Sequence, residues 1–447
     1  MTVPRSACDK MRSDLPTGPS GVLRSTWGVI RNPKGLFEKC IAEHGDPFLM
    51  TAMNGSVVVT GDPALVEQIF RAPPDTFGVF ATKAMTPILG AGSLLLMEGS
   101  SHRAARKQIA PPFHGACMRR YGDAMQATAE AVFSRMEPGT TFTGIQVGTE
   151  ISLDVILKTI LGADSKPVLE RFRDATRKVL GRSWPILFFS PATQVGFLGM
   201  SPMDRLRKAQ AELREQLREE LMRRGDEIHQ RDDILSILAR PGDDGQGPDF
   251  ETLADSVGTL MFAGHETTAV SIAWALYHLL QNPDLLHRLR EELDAVDGRA
   301  ETYATLPLLK AIVQETLRLN PIVTEVLRVA RKPFQLGEIE IPIGYSVAAA
   351  SCLTHYRPEI YPDANAFDPD RFLQRTYSPA EYYPFGGGNR RCIGAAFATY
   401  ELAIVLGTVL RAYELQLLED TEVVPKRRNI TMGPSTGVRL RFVGRRG

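Results

Sequence analysis

The stretch Phe385-Gly386-Gly387-Gly388-Asn389-Arg390-Arg391-Cys392-Ile393-Gly394 constrains this chain most, because it sets one cysteine behind a glycine-rich loop and before an apolar run. Ile393 to Leu410 reads as the helix that follows. Three successive glycines let the backbone adopt conformations closed to other residues and come close to a flat ligand. Cys392 then stands at a helix N-terminus. There the partial positive charge of unpaired N–H groups, with Arg390 and Arg391 alongside, favours a thiolate, which is a strong metal ligand. Taken alone, a tight turn beside an ordinary buried cysteine would give the same string.

The pattern Phe-x-x-Gly-x-x-x-Cys-x-Gly resembles the haem-ligand loop of the cytochrome P-450 monooxygenases, and four further motifs follow in that family's order. The resemblance implies a mainly α fold with a minor β region, of the soluble bacterial type. It implies one domain over residues 1–447, irregular over 1–35, with haem b between a long central helix and the helix after the cysteine loop. Cys392 would be the iron ligand, and Phe385, Gly386, Arg390 and Gly394 would line the cofactor.

Composition sets outer bounds: 447 residues with 43% hydrophobic and 23% charged side chains can bury a large core and show no fibrous or disordered bias. Lysine plus arginine number 52, as do the acids, so net charge gives no reason to expect nucleic acid or an anionic membrane as partner. Five cysteines, Cys8, Cys40, Cys117, Cys352 and Cys392, lie far apart without a C-x-x-C pair, so neither a disulfide framework nor a zinc site is indicated. Met1 to Gly35 never reaches the roughly 18 to 20 apolar residues of a membrane span. No signal peptide or anchor is read there, and a cytoplasmic protein without a transmembrane anchor is the expectation.

Leu36 to His44 reads as a helix, and Ser56 to Thr60 as a strand before the turn Gly61-Asp62-Pro63, so a small β-rich region opens the fold. Pro73 to Leu96 carries Phe77, Phe80, Met85, Ile88 and Leu89, more apolar than a solvated loop should be. Core packing and a lid over a substrate pocket both account for it. His102 and Arg106, at i and i+4, share a helix face. On their own they would be solvated. The resemblance makes them a clamp on a haem propionate, a carboxylate that the arginine fork can bond through both oxygens. Arg103, Lys107, Arg119 and Arg120 make the neighbourhood basic, either as a docking face for an acidic ferredoxin or flavodoxin-type carrier or as a solvated helix face.

Amphipathic helices are predicted from Gly122 to about Leu161 and from Arg205 to Arg224. Trp184 to Phe189 and Val195 to Met200 form an apolar region broken by Pro and Gly, too short to cross a bilayer. It suits a pocket entrance, a packed inter-helix loop or a peripheral membrane contact. After the Gly/Asp-rich linker Arg240 to Gly247, Pro248 and Asp249 signal a long helix to Gln281, with Asn282 and Pro283 starting the next. Within it, Ala263-Gly264-His265-Glu266-Thr267-Thr268 interrupts an apolar face with an acid, two hydroxyls and a glycine. A zinc-protease reading fails because Ala269 stands where H-E-x-x-H needs histidine. Glu266-Thr267 resembles the family's oxygen-activation pair, with Ala263 and Gly264 beside the haem and Gly264 leaving room for dioxygen. Back-bonding of the Thr267 hydroxyl to a helix carbonyl, opening a local kink, is the other explanation.

Glu315 and Arg318, at i and i+3 on an apolar helix, would alone be a surface ion pair. Phe367-Asp368-Pro369-Asp370-Arg371-Phe372 supplies a second arginine, so the resemblance implies a structural triad of Glu315, Arg318 and Arg371. Asp370 stands where the family more often has Glu. Arg328 matches another propionate contact.

The implied reaction inserts one atom of O2 into a C–H or C=C bond of a lipophilic substrate, by hydroxylation or epoxidation of a fatty acid, terpenoid or steroid-like molecule. No dinucleotide or flavin motif is read, so electrons are expected from NAD(P)H through a separate ferredoxin and reductase, with the enzyme a monomer. The segments placed over the haem carry Phe77, Phe80, Ile88, Leu260, Val323, Glu325, Ile430 and Thr431. They are largely apolar, and each Å² of apolar ligand surface they bury is worth roughly 25 cal/mol. Glu325 either faces outward or pairs with an arginine, or it bonds a hydroxyl or amine of the substrate. A peroxide-using or rearranging haem-thiolate enzyme, and a non-catalytic gas-binding protein, are the rival classes; neither has need of Glu266-Thr267.

Overall fold

The computed structural model describes residues 15–446 except 114, 163–164, 183–186, 188–190, 197–198 and 242–246. Most of the 184–189 stretch, residues 197–198, the centre of the 240–247 linker and Cys8 therefore lie outside the described residues.

Helices dominate, arranged around one of 32 residues, Phe250–Gln281. Asp249 caps its start by accepting the Thr252 N–H at 2.9 Å and the Thr252 hydroxyl at 2.7 Å. At the far end Asn282 accepts the Leu285 N–H at 3.1 Å and opens the helix Pro283–Asp294. The long helix packs closely against Gly144–Leu161, and small residues make this possible. A Cβ on Gly148 would lie 2.7 Å from the Ala269 carbonyl oxygen, and one on Gly264 would lie 3.0 Å from the Ile156 side chain. The Ser152 hydroxyl sits in the same seam, 2.7 Å from the Gly148 carbonyl of its own helix and 2.8 Å from that of His265 across it.

On another side of the long helix lies Ala395–Ala412, whose apolar side chains join Trp274 and Leu276 in the main core. This helix is apolar and long enough to cross a membrane, but 67% of it is buried inside the protein, as a core helix would be.

The minor β region is a five-stranded sheet in the order Phe48–Ala52, Gly55–Thr60, Ser346–Ala349, Val326–Ala330 and Phe77–Gly78. Gly55–Thr60 and Ser346–Ala349 run parallel; the other neighbours are antiparallel. Arg328 sits mid-strand, opposite Val347. A separate hairpin, Pro425–Arg428 with Thr431–Pro434, touches the long helix near the chain's end. The segment expected as a loop or lid from Pro73 contains the short strand Phe77–Gly78 and the helix Thr82–Leu89.

Candidate active site

The cysteine loop is closed by the Cys392 N–H donating to the Phe385 carbonyl at 2.9 Å. Gly386 and Gly388 have φ of 67° and 65°, the left-handed region that glycine enters without cost. Their neighbour Gly387 lies against Phe70, where an added Cβ would come within 2.2 Å of the ring. The close approach that these glycines allow is thus used inside the chain, against the helix Pro63–Arg71. Gly394 has open space on its Cβ side.

The helix after the loop begins at Ala395 with Gly394 as its cap, two residues later than the spacing predicts. Cys392 therefore precedes the helix rather than heading it. The sulfur receives the Gly394 N–H, and Arg106 and Arg391 also favour its charge, but loss of hydration is the larger effect and raises the thiol above its ordinary value. Arg390, expected beside the sulfur, points to the carbonyls of Met97 and Leu95 instead. Cys392 as a whole is exposed at the mouth of the loop, open to a metal cation that would stabilise its thiolate.

His102, Arg106, Arg328 and Arg390 come together from three separate segments. His102 is 5% exposed, and its pKa is lowered to about 4, first by burial and then by Arg390, Arg106, Arg328 and Arg103. Burial and Arg390 push Arg328 down to about 10. Its guanidinium donates to its neighbour's carbonyl, Leu327, at 3.0 Å. Among the described residues, no carboxylate lies within ion-pair distance of any of these four groups. A half-buried cluster of three guanidinium groups, with a neutral imidazole among them, is complete only with an anion. The two propionates of haem, with Cys392 as sulfur donor, fit that donor set.

On the long helix Ala263 is exposed and Glu266 and Thr267 are half-buried, on an element otherwise mostly buried. The Thr267 hydroxyl donates to the Ala263 carbonyl at 2.8 Å, and Thr268 does the same to Gly264 at 3.1 Å, yet the helix runs through unbroken. Gly264 turns its bare side to Ile156, where it serves helix packing, and the open residue beside it is Ala263.

Glu315, Arg318 and Arg371 meet as one buried network. Arg318 forks onto Glu315 at 2.6 and 2.7 Å, and Arg371 Nε reaches the same carboxylate at 3.1 Å. The remaining Arg318 donors go to the carbonyls of His355, Ala364 and Ala366 at 2.7, 2.8 and 3.0 Å.

The eight residues predicted to line the pocket divide. Ile88 and Ile430 share an apolar cluster with Leu89, Leu206 and Phe262. Beside it a cavity is lined by Ile88, Leu180, Met261 and Phe262, with Gln210, Arg214 and Asp255 among its polar groups. Phe77 instead packs edge-on to Phe334 at 4.8 Å over the sheet, Phe80 covers the cluster around Phe37 and Phe48, and Leu260 belongs to the main core. Val323 is 41% exposed. Glu325 takes the Thr324 hydroxyl and acts on the charge of Arg427, in keeping with the reading that pairs it with an arginine. Thr431 is buried and bonds Glu266 at 3.2 Å.

Sequence reasoning missed Asn429, which also reaches Glu266, and His355, which joins the triad to the cysteine loop. Asn429 carries a signal, since it stands in a tight turn between two short strands. His355 sits in no recognisable pattern. Arg214 and Asp255, bonded at 2.5 Å on the cavity wall, lie on helices whose charges look solvated in sequence.

The sequence profile described as Cytochrome P450 matches residues 22–440. Cytochrome P450 135B1 of Mycobacterium tuberculosis is 33% identical over 96% of this chain and 91% of its own. Cytochrome P450 138 of Mycobacterium bovis is 32% identical over 91% and 90%. Among solved structures, retinoic acid bound cyanobacterial CYP120A1 superposes with a TM-score of 0.83 at 23% identity, over 97% of this chain and all (100%) of that one. CYP102L1 gives 0.78, also at 23%. A cysteine loop, a cation cluster lacking its anion, and relatives matching almost end to end lead to one conclusion: the chain belongs to the cytochrome P450 family.

Proposed function

We propose that this protein hydroxylates or epoxidises a lipophilic small molecule, taking one oxygen atom from O2 and its electrons from a separate ferredoxin or flavodoxin-type carrier. The family gives the general class, a haem-thiolate monooxygenase that uses haem and O2. The substrate class, the carrier and a cytoplasmic, monomeric setting are the finer reading.

Haem bound through the Cys392 sulfur would supply O2 binding and O–O cleavage, which electron donation from a thiolate favours. The chain supplies the rest. His102, Arg106, Arg328 and Arg390 hold the propionates, and Phe385, Gly386 and Gly394 shape the sulfur side. Glu315, Arg318 and Arg371 fix the segments behind the loop. On the long helix Ala263 borders the haem, Thr267 holds a proton at Oγ1, and Glu266 holds and replaces a proton at its carboxylate. The observation that carries this reading is the acid and hydroxyl beside exposed Ala263, in the middle of a helix that is mostly buried.

Support for a lipophilic substrate comes from the wall of that cavity, which is mainly apolar. One structural neighbour is described as retinoic acid bound, a greasy acid. Ile88 and Ile430 contact the substrate, with Val323 shaping access to the haem and Glu325 outside the pocket. Arg103 and Arg119 are exposed beside the clamp helix and suit an acidic carrier, whereas Arg120 is already paired with Asp232 at 2.9 Å.

The test supplies haem-loaded protein with reduced ferredoxin and O2 across a fatty-acid, terpenoid and steroid panel, reading the haem spectrum for binding and then the product. Oxygenated product dependent on carrier and O2 is expected. Product from peroxide alone, with none from carrier and O2, would give the function to the peroxide-using class.

A further inference from the structure

The Glu266 carboxylate is held by the tip of the C-terminal hairpin. The Asn429 amide lies 3.3 Å from one carboxylate oxygen and 3.5 Å from the other, and Thr431 Oγ1 lies 3.2 Å from Oε1. The strand register pairs Arg428 with Thr431, leaving Asn429-Ile430 as a two-residue turn. Asn429 has φ of 39°, where glycine is the ordinary choice for such a turn. Asparagine tolerates that backbone and adds a donor that glycine lacks.

Thr431 has a second acceptor, the Arg428 carbonyl at 3.0 Å, for its single hydroxyl hydrogen. With Glu266 ionised, that hydrogen serves Oε1. With Glu266 protonated, the acid donates to Thr431 Oγ1 while the threonine hydrogen turns to Arg428. Both protonation states are satisfied without moving a heavy atom. Between the two residues, Ile430 packs on the apolar cluster of Ile88, Leu206 and Phe262, so the pocket wall and the hold on the acid share one turn.

We infer that Asn429 and Thr431 are positioning residues for Glu266, keeping its carboxylate in one place while it gives a proton toward the site and regains one from solvent. This rests on the reading of Glu266 as a proton carrier.

Asn429→Gly keeps the turn's backbone and deletes the amide; Thr431→Val keeps the shape and deletes the hydroxyl; Thr431→Ser restores it. In haem-loaded protein, the infrared carboxylate band that Glu266→Gln removes is expected to shift in the first two variants and to return in Thr431→Ser. Product per electron should fall about 3- to 10-fold in the first two with KM unchanged, a fraction of the 10²–10⁴ that a placed acid supplies. A band unmoved in both variants, or full product yield in both while Glu266→Gln loses it, overturns the inference. Wild-type turnover in Glu266→Gln would instead overturn the proton role itself, whatever the band does.

Discussion

The His355 imidazole accepts the Tyr383 main-chain N–H at 3.1 Å through Nε2, while its Nδ1 meets the Arg318 carbonyl at 3.3 Å. One ring thus spans from the triad helix to the segment that opens the cysteine loop. Donor and acceptor roles fix the neutral tautomer with hydrogen on Nδ1. Replacing it by leucine strands a buried N–H and a buried carbonyl, each worth about 1 to 3 kcal/mol. We predict that His355→Leu lowers the urea midpoint and releases haem on gel filtration, while retained haem still gives the wild-type thiolate spectrum. Loss of that spectrum with haem retained would mean His355 acts on the ligand itself.

The triad variants should be harsher. Glu315→Ala leaves two buried guanidinium groups facing one another, whereas Arg371→Ala leaves Glu315 still forked onto Arg318. Removing one partner of a buried pair costs about 3 to 5 kcal/mol. Glu315→Ala is expected to exceed Arg371→Ala in lost stability, both measured by denaturant unfolding of the haem-loaded protein. The reverse order would show that Arg371 bears more on the loop than its single contact with the carboxylate suggests.

These two networks mark how much could be read from the chain. Periodicity and caps located the long helix, because Asp249 and Asn282 act through bonds to residues three away. The triad was legible because the family spaces its members regularly. His355 was not, since its partners lie 28 and 37 positions away and no local pattern encodes that distance. Phe77 and Phe80 misled for a related reason. Apolarity predicted burial correctly, but the choice between sheet and pocket is made by strand pairing that the local sequence does not display.

Acid should destabilise the fold through buried histidines. His278 stacks on Phe367 at 4.4 Å, and burial lowers it to about 4; burial and Arg318 lower His355 to about 3. Unfolded, each titrates near 6.5, so between pH 6.5 and 4 each of these two rings binds a proton in the unfolded chain that it refuses in the folded one. Stability therefore falls as pH drops through that window, by up to ~1.4 kcal/mol per pH unit for each ring. His278→Phe should flatten the dependence of unfolding free energy on pH by about that amount. An unchanged slope would move the acid sensitivity to the paired carboxylates.

Cys392 is exposed at the mouth of its loop, with the Gly394 N–H and the charges of Arg106 and Arg391 favouring its thiolate. Cys392→Ser is expected to remove the strongly red-shifted absorption of the reduced carbon monoxide complex, even where haem stays bound by the propionate clamp. Survival of the red shift would put the ligand on another cysteine, and Cys40 and Cys352, both buried in or beside the sheet, are poor candidates.

Thr267 separates two accounts of one bond. Its hydroxyl donates to the Ala263 carbonyl at 2.8 Å, which a purely local role would require, and the helix stays continuous across that bond. Ser271 and Thr268 make the same kind of bond nearby, at 2.9 and 3.1 Å, so back-bonding here is redundant for the fold. What distinguishes Thr267 is its place one turn beyond exposed Ala263 and next to Glu266. Thr267→Ala should therefore cost the fold less than about 1 kcal/mol. Substrate affinity, read from the haem spectrum, should hold, while a large share of the electrons consumed is diverted to peroxide or water, because the proton is no longer delivered where it is needed. Thr268→Ala is the control. It deletes a like bond on the buried side of the helix and should leave product per electron unchanged. If both variants uncouple equally, the effect belongs to helix geometry and Thr267 holds no special proton; if neither does, the hydroxyl contributes only its bond to Ala263.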